Sequence, residues 1–232
     1  MALSAGFVDT ASYLQLRQLY TSHMTGNTAS FGNHILQVNW GDAWRYGWAI
    51  LCFLIGLLIS AALTEIERRE RIRSAFSMVL GLEVALLAAF AAAGPGTPYA
   101  LRVFFPSAAM GMQTVTVTRV GTLRIYTTYL TGSLSQFAEA VVSYAFWFRD
   151  RVHGRVSSRL LKVLRVSPRK VPVQRAAVTA GLWIGFFAGV LAAAWGLRNW
   201  SRVSLAAPMA VLAATMIVDL RHPAKLGDVP GE

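Results

Sequence analysis

Three carboxylates, Asp9, Glu83 and Glu139, are embedded in apolar sequence, and two polar runs, "HMTGNT" (His23 to Thr28) and "YLTGSLS" (Tyr129 to Ser135), interrupt it. An ionisable group inside a bilayer is costly unless it is paired, hydrated or neutral, so such carboxylates are candidates for carrying a proton or ligating a cation. Structural pairing with Arg102 or Arg119 is the competing expectation. For Asp9 a position near the lipid headgroups, where its charge costs little, competes as well.

The Thr-Gly runs have their own chemistry. Glycine breaks a helix cheaply, and Thr or Asn caps the half-helix that follows. A half-helix that starts within the bilayer offers unpaired backbone N–H groups and the positive end of its dipole, which suit a polar or anionic solute. Exposed backbone is tolerated at that depth only where it lines a cavity or is buried in protein. The expected solute site comprises Thr25, Gly26 and Asn27 from the first run and Thr131, Gly132 and Ser133 from the second. Asp9 and Gln113 complete it, and Asp9, Glu83 and Glu139 are the candidates for proton or ion coupling. Close helix packing through small residues is the competing use of both runs.

The elements that must position these groups are apolar. The chain is 55% hydrophobic and only 14% charged over 232 residues, against about 25% charged in a soluble domain. Apolar runs recur at Trp44–Thr64, Ser77–Gly94, Tyr99–Thr118, Tyr126–Phe148, Ala176–Leu197 and Val203–Val218. Each is near or above the ~18 residues at which a spanning helix is the default expectation. Six such runs cannot share one soluble core, so the fold class is all-α: a polytopic membrane protein that forms a single membrane domain over 1–232. Gly181, Gly185 and Gly189 recur at four-residue intervals and make a stripe for tight helix packing, within the chain or in a homodimer.

The net charge of +11 does not indicate nucleic acid, because the basic residues lie between apolar runs. Nine of the 22 Lys and Arg fall in 149–175, and positive charge in short loops marks the cytoplasmic side. Val152 to Val166 has the pattern of an amphipathic helix on anionic lipid; a plain topology signal explains the charge equally. The single cysteine, Cys52, permits no disulfide within the chain. The first residues lack the basic leader of a signal peptide and contain Asp9. No G-x-S-x-G, H-E-x-x-H or phosphate-binding G-x-x-x-x-G-K-[ST] occurs, and the four His are scattered. Neither an enzyme nor a cofactor or metal is expected.

Sidedness and an internal repeat constrain the topology. If 126–148 crossed the bilayer, the most basic loop would lie outside, so 126–148 is expected to enter and leave on the cytoplasmic face. "SHMTGNTASFG" aligns with "TYLTGSLSQFA", matching Thr25 to Thr131, Gly26 to Gly132 and Phe31 to Phe137. Upstream, Asp9 pairs with Gln113 and Thr10 with Thr114, allowing a two-residue difference in length. Each unit, 1–94 and 98–220, then holds one span, a re-entrant Thr-Gly segment and two more spans. Three spans per unit invert the second copy, the plan common to secondary transporters. Six spans with both termini cytoplasmic result; eight full spans in two parallel units of four are the alternative.

"AGFVDTASYL" with "HMTGNT", followed at mid-chain by "GMQTVTVTRVG" and "TTYLTGSLSQFAEA", resembles the YoaK-type family of uncharacterised bacterial membrane proteins. The resemblance covers most of the chain and implies six spans in the inner membrane, but no substrate. One departure is that members carry more apolar residues before the G-x-x-D element, whereas eight residues precede Asp9 here. Either the first span is short or the start lies too far downstream. Together these features lead to the expectation of a secondary transporter for a small polar or anionic solute. A non-transport scaffold or partner-binding subunit is the alternative.

Overall fold

The structure is a computed structural model that describes residues 1–70, 75–115, 118–120, 123–125, 130–152 and 171–221. Its helices are α1 (Ala2–Gln15), α2 (Met24–Leu36), α3 (Trp40–Glu70), α4 (Ala75–Ala92), α5 (Tyr99–Val115), α6 (Leu130–Val152), α7 (Val171–Trp200) and α8 (Ala206–Arg221). A short antiparallel hairpin, β1 (Thr118–Val120) with β2 (Leu123–Ile125), separates α5 from α6, and a 3₁₀ turn (Ser201–Leu205) joins α7 to α8. The basic segment 153–170, with most of the expected amphipathic helix, lies outside the described residues.

Among the described residues, three stretches are long and apolar enough to cross a membrane: Trp40–Glu67, Ala75–Ala92 and Val173–Arg221. Only 22–39% of their most apolar windows is buried within the chain, so most of that surface needs lipid, since water would not tolerate so broad an apolar face. Exposed Trp40, Trp44, Trp195 and Trp200 gather where α3 begins and α7 ends, the position that amphipathic rings take at a headgroup boundary.

Contacts between helix ends set their directions. Arg45 Nε donates to Tyr99 Oη (3.1 Å) and Trp48 Nε1 to the Ala100 carbonyl (2.8 Å), which joins the starts of α3 and α5. The end of α1 reaches the same place, because Tyr99 Oη and Arg102 Nη2 donate to the carbonyls of Leu16 (3.0 Å) and Gln15 (3.1 Å). At the opposite end Ser77 Oγ donates to Asp219 Oδ2 (2.7 Å), tying the start of α4 to the end of α8. Gly185 lies beside Ala2 and Gly196 beside Phe7, so α7 runs in the direction of α1. The helices α1, α3, α4, α5, α7 and α8 therefore alternate in direction, and α1 runs opposite to α5.

Two crossings hold the centre. An added Cβ at Gly6 would lie 2.1 Å from the Phe186 carbonyl oxygen, and one at Gly189 would lie 2.1 Å from that of Leu3. On the other side, Gly56 stands in the same relation to Ala108 and Gly111 to Phe53. Backbones this close leave no room for a side chain, and in lipid such packing is a main source of helix association. One apolar cluster (Ala5, Val8, Phe53, Leu80, Leu87, Ala109, Met110, Phe186, Leu212) draws on α1, α3, α4, α5, α7 and α8. Met24 at the start of α2 and Leu130 at the start of α6 both pack against it.

Candidate functional site

The chain reverses after α1. Arg17 (φ 54°) and Gln18 (φ 63°) take left-handed conformations, which are unfavourable for side chains of their size. The reversal is held because the carbonyls at the end of α1 are satisfied by Arg45, Tyr99 and Arg102; Arg45 Nη2, for example, donates to the Arg17 carbonyl at 2.8 Å. The following residues return to the middle of α1 and meet Asp9.

Asp9 is buried and fully engaged. Its Oδ1 accepts the backbone N–H groups of Thr21 (2.8 Å) and Ser22 (2.9 Å), with the Thr21 hydroxyl at 3.4 Å, and Oδ2 pairs with His23 Nδ1 at 2.6 Å. The hydrogen bond to Asp9 holds the His23 imidazole above its usual pKa, against the partial desolvation that would lower it. Tyr20 stacks on Tyr13 (ring centroids 4.5 Å) and leans on His23 (4.8 Å), covering the pair. Among the described residues neither Arg102 nor any other arginine pairs with Asp9; the Arg119 side chain lies outside them.

The Thr-Gly runs are where helices begin, not where they break. Helix α2 starts at Met24, with His23 as N-cap and no side chain capping it, so Thr25, Gly26 and Asn27 form its first turn. Helix α6 likewise starts at Leu130, one residue before Thr131. Before the first run the chain is reversed by the left-handed turn at Arg17 and Gln18, not by Gly26. In both first turns the third residue of the motif points inward. Asn27 is buried and its Nδ2 donates to the Tyr20 carbonyl (2.8 Å); Ser133 is buried and its Oγ donates to the Leu130 carbonyl (2.7 Å). Thr25, Gly26 and Thr131 are exposed and Gly132 is half-buried; nothing lies within 4 Å of a Cβ placed on Gly26.

The remaining candidates divide by burial. Glu83 lies between Leu80 and Leu87 on the core face of α4, 1% exposed, and its Oε2 has no hydrogen-bond partner. Gln113 is 0% exposed, one turn beyond Ala109 and Met110, and neither atom of its amide has a partner among the described residues. The hydroxyls of Ser4 and Ser107 are buried and unpartnered as well. Glu139 lies on the exposed side of α6, away from this core. Of the glycine stripe, Gly185 and Gly189 pack against α1 within the chain, whereas Gly181 meets nothing. Among the described residues, no three His, Cys, Asp or Glu side chains gather as a metal site would require.

Sequence reasoning missed His23 as the partner of Asp9, although the two flank the reversal. It missed the arginine and tyrosine cap on α1, which joins residues more than 80 positions apart. It also missed Gly6, Gly56 and Gly111, single glycines whose meaning appears only when their partner helices are known.

The family described as "Protein of unknown function (DUF1275)" matches residues 1–218. The chain belongs to the DUF1275 family. It is also similar to the UPF0700 transmembrane protein YoaK of Bacillus subtilis (strain 168), with 27% identity over 154 residues, 65% of this chain and 68% of that protein. No solved structure matches the chain. The expected YoaK-type kinship therefore holds, and DUF1275 membership together with the long apolar helices makes this a membrane protein.

Proposed function

We propose that this DUF1275 chain is a secondary transporter for a small polar or anionic solute, working by alternating access between two inverted three-span repeats, 1–94 and 98–220. In this reading α1, α3, α4, α5, α7 and α8 span the bacterial inner membrane. Helices α2 and α6 re-enter from opposite faces, and both termini and the basic segment 149–175, which would touch anionic lipid, are cytoplasmic. The observation that carries the proposal is the meeting of two helix starts, at Met24 and Leu130, on one core cluster whose neighbouring polar groups on α1, α4 and α5 lack partners.

The crossings support the repeat. The first helix of each unit crosses the third helix of the other, α1 over α7 and α5 over α3, with a glycine on both sides each time. The opposite directions of α1 and α5 suit an inverted pair, and rocking one unit against the other would expose the shared core to each face in turn. Asn27, Ser133 and Gln113 are the solute-facing candidates; Thr25, Gly26, Thr131 and Gly132 contribute backbone N–H groups at the helix starts. A scaffold or partner-binding subunit is the second reading, favoured by the outward exposure of Thr25, Gly26 and Thr131.

The test is an uptake screen of small polar and anionic solutes into vesicles containing the purified chain. Accumulation of one solute that is lost in both Gln113→Leu and Asn27→Leu supports transport. No uptake across the panel, from protein that elutes as a single folded species, contradicts it.

A further inference from the structure

Three carboxylates compete for the coupling role, and the structure separates them. Asp9 spends both oxygens on Thr21, Ser22 and His23, so it acts as the anchor of the α1–α2 reversal. Glu139 lies on an exposed face of α6. Of the three, Glu83 is enclosed in the shared core, and its Oε2 has no hydrogen-bond partner among the described residues.

The surroundings of Glu83 offer little that would hold an anion. From α1 the Met1 ammonium faces it. Helix α8 presents Leu212 and Met216, with Asp219 a turn further on beside Ser77. Helix α5 buries Ser107 and Gln113 without partners among the described residues, while its Arg102 is committed to Gln15 at the far end, as are Asp42 and Arg45 of α3 to each other. No Lys, Arg or His side chain among the described residues pairs with Glu83. Enclosure disfavours the ionised carboxylate against the neutral acid, and the facing Met1 ammonium, itself drawn largely out of water, offsets that only in part.

We propose that Glu83 is the proton-exchange site of the molecule: it carries a proton while enclosed in the core and yields it when the repeats rock and water reaches α4. Its part in coupling rests on the transport reading; its protonation while enclosed does not. The unpartnered hydroxyls of Ser4 and Ser107 and the amide of Gln113 are buried on α1 and α5, helices that share the core cluster with α4. Protonation removes the buried charge and gives the carboxyl a donor that can reach a neighbouring acceptor when the core rearranges.

Dicyclohexylcarbodiimide tests this on the full chain in phosphatidylethanolamine/phosphatidylglycerol vesicles, because this apolar reagent reacts with protonated carboxyls that lipid or protein shields. The acid O–H adds across one C=N bond, the proton passes to nitrogen, and acyl migration gives a stable N-acylurea with no leaving group. Peptide mass spectrometry is expected to find the adduct on Glu83 and not on Asp9. Labelling should fall about tenfold per pH unit on the alkaline side of its titration, and Glu83→Gln should lack the adduct. Glu83 unmodified while Glu139 is modified would overturn the proposal, as would labelling that ignores pH or is blocked by sodium at constant pH. Labelled Glu83 in a chain that moves no solute would sink the transport reading and leave the proton site standing.

Discussion

Asp9 in α1 and Gln113 in α5, the two positions that the proposed repeat pairs, sit in different chemistry. In the first half, Asp9 accepts two backbone N–H groups and pairs with His23, which fixes the start of α2 against the core. In the second half, Gln113 occupies the position that the repeat assigns to Asp9, equally buried, yet neither atom of its amide has a partner. Under the proposed repeat, a satisfied polar group in one half thus corresponds to an unsatisfied one in the other. A buried polar group without a partner lowers stability and persists where something other than stability requires it. In the proposed reading the first half is built to hold and the second is left able to bind.

Substitutions at the two crossings test the part of the plan that the halves share. Gly6→Val and Gly111→Val should each cost about 3 kcal/mol or more, because the new side chain meets the backbone of a neighbouring helix and not a yielding side chain. Similar losses of thermal stability in detergent are expected for both, while Gly26→Ala, at an open position, should change little or add up to about 1 kcal/mol. A severe loss at Gly6 with none at Gly111 would break the equivalence of the crossings.

Exchanging the central polar groups for leucine should then separate the halves. Asp9→Leu strands the amides of Thr21 and Ser22 and should cost about 2–4 kcal/mol. Gln113→Leu removes an orphan and should be neutral or stabilising by up to about 1 kcal/mol, while abolishing uptake. Equal destabilisation by the two changes would show that Gln113 is as structural as Asp9.

The smallest effect concerns pH. The His23 pKa is raised by Asp9, so its pairing contributes fully below the ordinary imidazole value and is lost as pH rises through the raised one. Stability should therefore decline modestly from neutral toward alkaline pH, with the change damped because His23 is half exposed. His23→Gln should flatten that slope; an unchanged slope would remove His23 from the latch.

Much of this was legible in the sequence because lipid imposes simple rules. Apolar length marked α3, α4 and the α7–α8 stretch, and a lone carboxylate or Gly-containing polar run marked Asp9, Glu83 and the two helix starts. The rest depended on contacts between distant segments. No glycine announces the turn at Arg17 and Gln18, because Arg45, Tyr99 and Arg102, from later helices, hold those residues in left-handed conformations. The stripe Gly181–Gly185–Gly189 has a helical period, yet only its second and third members meet α1. Exposure of Thr25 against burial of Asn27 depends on how α2 is rotated about its axis, which the motif does not encode.

The central claim, that α2 and α6 re-enter from opposite faces and meet in one wet core, is tested most directly by thiol accessibility. Asn27→Cys and Ser133→Cys, each in a Cys52→Ala background, are exposed to a membrane-impermeant maleimide from one face and then the other in oriented vesicles. The account predicts that each position is labelled, and that the two are reached from opposite faces. Labelling of both from the same face, or of neither from either face, would contradict it.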